Sequence, residues 1–229
     1  MGDHTCGFEG HKSCVALVPI FNHLEDEHMA EITKAIQSDS YKKGEMIYRA
    51  GDQSDSLYIV KSGRVRIYRL SESGKEQLVR FLSPGDFTGE LALFSMSVHE
   101  SYAEAVENTE VCLITRTDLQ EFLMKYPSIS LKILAEFSRR LEKSEKQTTR
   151  VSTEKVETRL ARFIAECIDG EKSSMEFVLP MSKRDLASFL GTTPETISRK
   201  LTDFEEAGYI RQKPHRKIEV LDLDELLLI

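Results

Sequence analysis

The 229-residue chain contains no tryptophan, only four cysteines and six prolines, and fewer cations than anions. Its apolar runs, such as Leu226–Ile229, are far shorter than the ~20 residues of a transmembrane helix, so we expect no membrane span and no membrane partner. The first twelve residues lack a basic region followed by an apolar stretch, so they do not form a secretory signal. We therefore expect a cytoplasmic protein, whose cysteines are free, metal-bound or redox-active rather than a permanent disulfide framework.

The charge balance is acidic, with 31 Lys and Arg against 38 Asp and Glu and a formal net charge of −7. Taken alone, this balance argues against a nucleic-acid partner, because phosphate binding needs clustered cations. The charges are unevenly placed, however. Between Met181 and Lys217, eight basic residues stand against five acidic ones, so this segment is locally positive.

The apolar fraction of 40% is ordinary for a packed globular protein and excludes a disordered chain. Residues 41–115 consist of short β-type segments that alternate with turn-forming glycines, which predicts a small antiparallel barrel or sandwich. In one of these segments apolar Val65 and Ile67 alternate with Arg64 and Arg66, as in a strand with one buried face. Residues 24–38 predict a short amphipathic helix.

From Ser128 onward the apolar spacing becomes helical, and residues 128–169 contain no Gly or Pro. This predicts one long helix that continues toward the C-terminal region. A coiled-coil seam follows alternating steps of three and four, through Leu134, Phe137, Leu141, Ser144, Thr148 and Val151. We expect this stripe to meet the same stripe of a second chain; the alternative is that it packs on the chain's own β-domain. The polar Ser144 and Thr148 would weaken the seam, so a signal could adjust the dimer.

The segment MSKRDLASFLGTTPETISRKLTDFEEAG, residues 181–208, has the signature of two short helices joined by a tight turn. Ser182 is placed to cap the first helix, and Gly191 to end it with a positive φ. Thr193 is placed to cap the second helix, with Pro194 at its first position. This arrangement predicts a helix-turn-helix.

The second of these helices has an apolar inward face and a polar outward face that carries Glu195, Ser198, Arg199 and Thr202. Arg199 can donate two hydrogen bonds to guanine, Glu195 can accept from cytosine, and Ser198 can contact a neighbouring base. The alternative is that these residues are ordinary solvated polars. Further on, Lys213 and Lys217 lie with Arg211 and Arg216 around a Pro-containing turn, which predicts a wing that contacts backbone phosphates.

The order of a β-domain, a long helix and a winged helix-turn-helix resembles the CRP/FNR transcription-factor family over nearly the whole chain. The supporting strings are GDFTGELALF at 85–94, RRL at 139–141 and TPETISRKL at 193–201, the last especially close to the FNR branch. The resemblance implies an α+β fold with a cyclic-nucleotide-binding-type β-roll. The expected parts are a Cys- and His-containing segment (1–23), the β-roll (24–127), a dimerisation helix (128–158) and the winged helix-turn-helix (159–229).

The resemblance implies a homodimer that binds a palindromic operator and works with RNA polymerase. It assigns base reading to Glu195, Ser198 and Arg199. It also assigns phosphate contacts, less directly, to Ser182, Arg184 and Thr193. An enzyme is disfavoured, because the sequence shows no nucleophile–base pair, phosphate-cradling Gly-rich loop or HExxH-type metal site.

The resemblance gives no reason to expect cyclic AMP binding. In the members that bind cyclic AMP, a glutamate matched here by Glu90 is followed by an Arg–Ser pair that grips the phosphate. This chain has Glu100 and Ser101 at that pair, and the carboxylate would repel a phosphate. The helix positions that would touch adenine are Ser144 and Glu145. The β-roll is then a scaffold or binds some other small molecule, which would be an alternative signal.

The cysteines are the other candidate signal site. Cys112 matches the internal cluster-ligating cysteine of oxygen-sensing FNR proteins, which have three more near the N-terminus, whereas this chain has Cys6 and Cys14 there, near Asp3, His4 and His11. Three possibilities stay open: an iron–sulfur cluster with one non-thiol ligand, a zinc site of three Cys and one His, and a metal-free disulfide from Cys112 to an N-terminal cysteine. Cys167, beside Phe163 and Ile164, is expected to be an ordinary core residue.

Overall fold

The computed structural model of the chain describes residues 15–90, 97–169 and 175–229. The chain divides into two compact units, 1–140 and 141–229. The helices are α1 (Asp26–Ala35), α2 (Arg116–Lys125), α3 (Pro127–Thr153), α4 (Val156–Asp169), α5 (Lys183–Phe189), α6 (Pro194–Glu206) and α7 (Leu223–Leu227). The strands are β1 (Gln37–Tyr41), β2 (Met46–Tyr48), β3 (Gln53–Ser54), β4 (Ser56–Ser62), β5 (Val65–Leu70), β6 (Glu76–Leu82), β7 (Phe87–Thr88), β8 (Ser97–Val98), β9 (Tyr102–Ala105), β10 (Thr109–Thr115), β11 (Glu176–Val178), β12 (Ile210–Lys213) and β13 (Lys217–Val220).

The N-terminal unit is the predicted antiparallel β-domain. It has one four-stranded sheet in the order β1-β10-β4-β7 and another in the order β2-β9-β5-β6, with β3 paired to β8. Val65 and Ile67 are buried on β5, as the alternation predicts. A register shift against β6 follows Ile67, so Tyr68 is buried as well and the alternation ends there.

One apolar cluster, here called the N-terminal core, joins the β-domain to the start of α3. Cys112 lies in it beside Ile59 and Ile114, and α3 contributes Ile129 and Ile133. Its other members are Val15, Val18, Ile20, Phe21, Ile32, Ile36, Leu57, Phe87, Leu119, Phe122 and Tyr126, with Phe137 packed against it. The first two turns of the long helix are therefore anchored by the same side chains that surround Cys112.

The long helix ends earlier than the sequence predicts. α3 stops at Thr153 and α4 begins at Val156, whereas the pattern predicts an uninterrupted helix and a dimerisation segment that reaches residue 158. Near the break, Ser152 and Thr153 turn their hydroxyls back to main-chain carbonyls of the preceding turn, a competition that weakens a helix. The buried Arg159 donates to the carbonyl oxygen of Val151 at 2.6 Å, which satisfies an acceptor at the end of α3.

The C-terminal unit consists of helices and a three-stranded sheet in the order β11-β13-β12. Leu160 and Ile164 of α4 are fully buried. Cys167 on the same helix is partly exposed, so it lies at the margin of the core rather than inside it. Within the part of the chain that is described, no helix is long and apolar enough to cross a bilayer.

Candidate DNA-binding surface and signal site

The helix-turn-helix is α5, a tight turn and α6, and its ends are capped as the sequence predicts. The Ser182 hydroxyl accepts a hydrogen bond from the Asp185 main-chain N–H at 3.1 Å. The Thr193 hydroxyl accepts from the Thr196 N–H at 3.3 Å, and Pro194 occupies the first turn of α6. Gly191 has φ +66, the left-handed conformation expected after α5. The local sequence alone thus determines where both helices begin.

Helix α6 buries one face and presents the other. Ile197, Leu201 and Phe204 are buried, whereas Glu195 and Arg199 are exposed and Ser198 is partly exposed. The outward side chains are therefore free to approach the edges of bases in a major groove. Of the other predicted phosphate contacts, Arg184 is exposed on α5, and the hydroxyls of Ser182 and Thr193 are occupied as helix caps.

The two cations of α6 differ in their surroundings. Among the described residues Arg199 has no ion-pair partner, so its guanidinium keeps all its donors available. Lys200 pairs instead with Glu157 at 2.7 Å and with Asp203 at 3.1 Å. Arg199 is thus the cation that this helix presents outward.

Glu195 is held as a carboxylate at the start of α6. Its own main-chain N–H and the Thr193 hydroxyl donate to it, and these hydrogen bonds hold its pKa below the usual glutamate value. The positive end of the helix dipole favours the same charge. An ionised carboxylate accepts hydrogen bonds only, which suits contact with the amino group of cytosine.

The wing carries an acidic partner that the sequence pattern does not reveal. Glu176 on β11 pairs with Lys213 at 2.6 Å and with Lys217 at 3.0 Å. Glu219 on β13 pairs with Arg211 and with Lys213, both at 3.1 Å. The hydrogen bond from Lys213, and then that from Lys217, lowers the pKa of Glu176, and the Glu176 contact raises the pKa of Lys213. Both predicted wing lysines are therefore engaged within the wing.

The tip of the wing is a strained turn. His215 and Arg216 have φ of 60° and 61°, and they are the described residues other than glycine that have a positive φ. The Lys217 N–H donates to the Pro214 carbonyl at 3.4 Å, which closes the tight hairpin turn. The guanidinium of Arg216 is exposed and has no ion-pair partner among the described residues.

The carboxylate of Glu90, which matches the nucleotide-binding glutamate, forms ion pairs with cations of the same chain. Glu90 pairs with Arg140 of α3 at 2.8 Å and with Arg80 of β6 at 3.2 Å. Arg140 also lies over the Phe87 ring at 4.3 Å and donates to the Phe87 carbonyl at 3.0 Å. Glu90 therefore acts in the folded chain as an anchor for α3 within the N-terminal unit.

Aromatic side chains lie near Glu90. His99 stacks on Tyr48 with ring centroids 3.7 Å apart, and the edge of Tyr58 packs against it. The Tyr48 hydroxyl bonds that of Thr88 at 2.9 Å. Burial lowers the pKa of His99, so its ring is neutral near pH 7. Glu100, at the position of the phosphate-gripping arginine, pairs with Arg69 at 2.5 Å.

Cys112 is fully buried on β10 between β1 and β4. The Ser38 hydroxyl lies 3.6 Å from its sulfur. Cys112 is disulfide-bonded, and the predicted partners Cys6 and Cys14 lie outside the described residues. The described residues contain no group of three or more His, Cys, Asp or Glu side chains that could hold a metal ion.

Comparisons with known proteins match this organisation. Residues 38–126 match the cyclic nucleotide-binding domain, and residues 158–229 match the Crp-like helix-turn-helix domain. A probable transcriptional regulator, flp, of Lacticaseibacillus casei is 32% identical over 93% of this chain and 96% of the relative. The anaerobic regulatory protein of Haemophilus influenzae is 32% identical over 89% of this chain and 80% of that protein.

A solved structure gives the same result. FixK2 from Bradyrhizobium japonicum is 30% identical, with a TM-score of 0.72 over 83% of this chain and 95% of that one. Each match covers most of both proteins, and the helix-turn-helix is the part that binds DNA. The chain therefore belongs to the CRP/FNR family of DNA-binding transcription regulators and is not an enzyme.

Proposed function

We propose that the chain acts as a homodimer on a palindromic operator, and that the redox state of Cys112 and an N-terminal cysteine controls its DNA binding. The observation that carries the proposal is that Cys112 and the first turns of α3 belong to one core. A covalent change at Cys112 therefore acts on the packing of the helix that carries the predicted dimer seam. RNA polymerase is the expected further partner, by analogy with the family.

The exposed stripe of α3 supports the dimer. Leu134 and Leu141 are 57% and 61% exposed within a single chain, and Leu131 is 70% exposed. Exposed leucines repeated along one helix face favour pairing with a second helix, because that contact removes their apolar surface from water. The seam is mixed in character: Phe137 packs on the N-terminal core, and Ser144 and Thr148 are exposed polar positions.

The bonding of Cys112 favours a disulfide over the two metal alternatives. An iron–sulfur cluster or a zinc ion would need four ligands, and the described surroundings of Cys112 are apolar apart from Ser38. The other ligands proposed for these two metal sites lie outside the described residues. Exchange with a disulfide reagent forms the bond: two electrons and two protons pass from the two thiols to the reagent, which leaves as two thiols.

A redox signal also fits the names of relatives, one of which is called an anaerobic regulatory protein. In this proposal Cys6 or Cys14 supplies the second thiol. Oxidation ties the N-terminal segment to β10 and reduction releases it. Either change alters the core beneath Ile129 and Ile133 and, through α3, the alignment of the seam.

The test compares DNA binding of the reduced and oxidised protein, using a duplex that the wild-type chain selects from a random-sequence pool. We expect the affinity to change on oxidation with a disulfide reagent and to be restored by dithiothreitol. The response should be lost in Cys112→Ala and in the double variant Cys6→Ser, Cys14→Ser, which keeps the Cys112 side chain. Cys167→Ser is the matched control and should respond like the wild type.

An unchanged response in the double variant would contradict the proposal. The absorption spectrum and metal content of anaerobically purified protein separate the alternatives. Visible charge-transfer bands with iron and sulfide would establish a cluster, and zinc without colour would establish a zinc site. A colourless, metal-free protein with two oxidisable thiols agrees with the disulfide.

A small molecule in the β-roll is the second candidate signal, and one observation favours it. His99 Nε2, Glu90 Oε2 and Arg80 Nε are buried and have no hydrogen-bond partner among the described residues. A polar ligand that both donates and accepts hydrogen bonds would satisfy them. A rise in the unfolding temperature with a candidate nucleotide, lost in Glu90→Gln, would support this candidate; no shift with any nucleotide would count against it.

A further inference from the structure

We propose that Glu176 restrains the sequence-independent part of DNA affinity by neutralising the lysines of the wing, so that Arg216 at the strained turn is the wing's main phosphate contact. The inference rests on the DNA-binding function of the family. The proposed role of Glu176 sets the affinity for a duplex of any sequence, whereas the roles proposed for Arg199 and Glu195 set the discrimination between sequences. Glu176 lies before the helix-turn-helix in sequence, outside the segment that the charge count marks as positive.

In the sheet formed by β11, β13 and β12, two carboxylates form ion pairs with three cations. Glu176 and Glu219 lie directly opposite each other on β11 and β13. Like charges in such cross-strand pairs repel, unless a cation lies between them. Lys213 does so, because its ammonium is 2.6 Å from Glu176 and 3.1 Å from Glu219. Lys217 and Arg211 complete the group on either side.

This arrangement weakens the wing's attraction for phosphate whether or not the ion pairs open. Partly exposed pairs are worth only about 0–1 kcal/mol each, so a DNA phosphate can draw Lys217 away from Glu176. The carboxylate then remains beside the phosphate and repels it. Release of counterions from the DNA favours the contact between lysine and phosphate, whereas repulsion between the carboxylate and the phosphate opposes it. The net gain in DNA affinity per lysine is therefore small.

Arg216 is arranged in the opposite way. It has no acidic partner among the described residues, and its positive φ holds it at the tip of the hairpin. A positive φ is costly for a residue with a side chain, and such strain concentrates at functional positions. The turn therefore presents a charge that no carboxylate in the wing offsets.

The experiment measures binding against salt concentration for the selected duplex and for its scrambled version. Glu176→Gln keeps the shape of the side chain and removes its charge. We expect it to tighten binding to both duplexes by the same factor, about 3- to 10-fold near 0.1 M salt, and to steepen the salt slope by about one phosphate contact. Asp224→Asn on α7 is the matched control, because it makes the same charge change outside the wing and should leave the slope unaltered.

A double-mutant cycle tests the coupling directly. Lys217→Ala should change the slope little in the wild type and reduce it by about one contact in the Glu176→Gln background. Arg216→Ala should reduce it by a similar amount in both backgrounds. An equal effect of Lys217→Ala in the two backgrounds, or a Glu176→Gln protein that behaves like Asp224→Asn, would overturn the proposal.

Two further readouts keep the outcomes distinct. The melting temperature of each variant shows whether a change in affinity reflects altered folding. A wild-type chain that does not distinguish the selected from the scrambled duplex would count against the function itself, whereas a change in the affinity ratio in Glu176→Gln would place this residue among the base readers.

Discussion

At the scale of single residues, the base-reading role proposed for Arg199 is the simplest to test. Arg199→Ala should remove discrimination at one base pair, a loss of about 1–3 kcal/mol, because the proposed bidentate contact to guanine would have no substitute. The measurement compares the affinity for the selected duplex with that for single-base variants. Lys200→Ala is the matched control: Lys200 is the next residue but is held by Glu157 and Asp203, so its loss should affect all duplexes alike.

If Arg199→Ala still separates the selected duplex from its variants as well as the wild type does, the base-reading assignment fails.

The face of α6 that carries Arg199 could be predicted from the sequence, since helical period and caps decide which side chains point outward. The pairing of Lys200 could not, because Glu157 lies 43 positions earlier and only the packing of α4 brings it near. Glu176 escaped prediction for the same reason.

At the scale of elements, the turn between α5 and α6 depends on Gly191. An added Cβ there would lie 3.1 Å from Val151 Cγ1, and φ is +66. Gly191→Ala should therefore lower the free energy of unfolding by about 1–2 kcal/mol for the left-handed conformation, with a further loss from the contact. Gly208→Ala is the comparison, because it has φ +80 but open space around it. Urea unfolding of the full chain measures both.

Equal destabilisation by the two alanines would show that the Val151 contact contributes nothing.

The end of α3 could be predicted only in part from the sequence. A run without Gly or Pro permits a helix but does not require one, and Ser152, Thr153 and the buried Arg159 compete for its last carbonyls. The strands were easier to predict, since glycines and alternation mark them locally, whereas the pairing of β10 with both β1 and β4 depends on distant segments.

At the scale of the whole molecule, dimerisation should determine DNA affinity. Leu141→Glu places a charge in the seam and should yield a monomer by analytical ultracentrifugation. Without the second reading head, affinity for a palindromic duplex should fall by about 10²-fold or more. Lys143→Glu is the control, because it makes a larger change in charge at a position off the seam and should stay dimeric.

A Leu141→Glu protein that remains a dimer would place the interface elsewhere.

The net charge of −7 illustrates what composition can and cannot say at this scale. The total charge suggests poor DNA binding, whereas the count over residues 181–217 shows that the helix-turn-helix segment is net positive. Neither count shows that the wing's lysines are offset by carboxylates on β11 and β13, which only the folded register reveals.

The strained turn at the tip of the wing has a consequence for how the protein can be improved or can evolve. Asn-Gly is the sequence that such hairpins prefer, and His215-Arg216 departs from it at both positions. Selection for thermal robustness alone would favour replacing the pair, yet that would delete the cation that the turn displays. At the His215-Arg216 turn, a substitution that stabilises the fold should therefore weaken DNA binding.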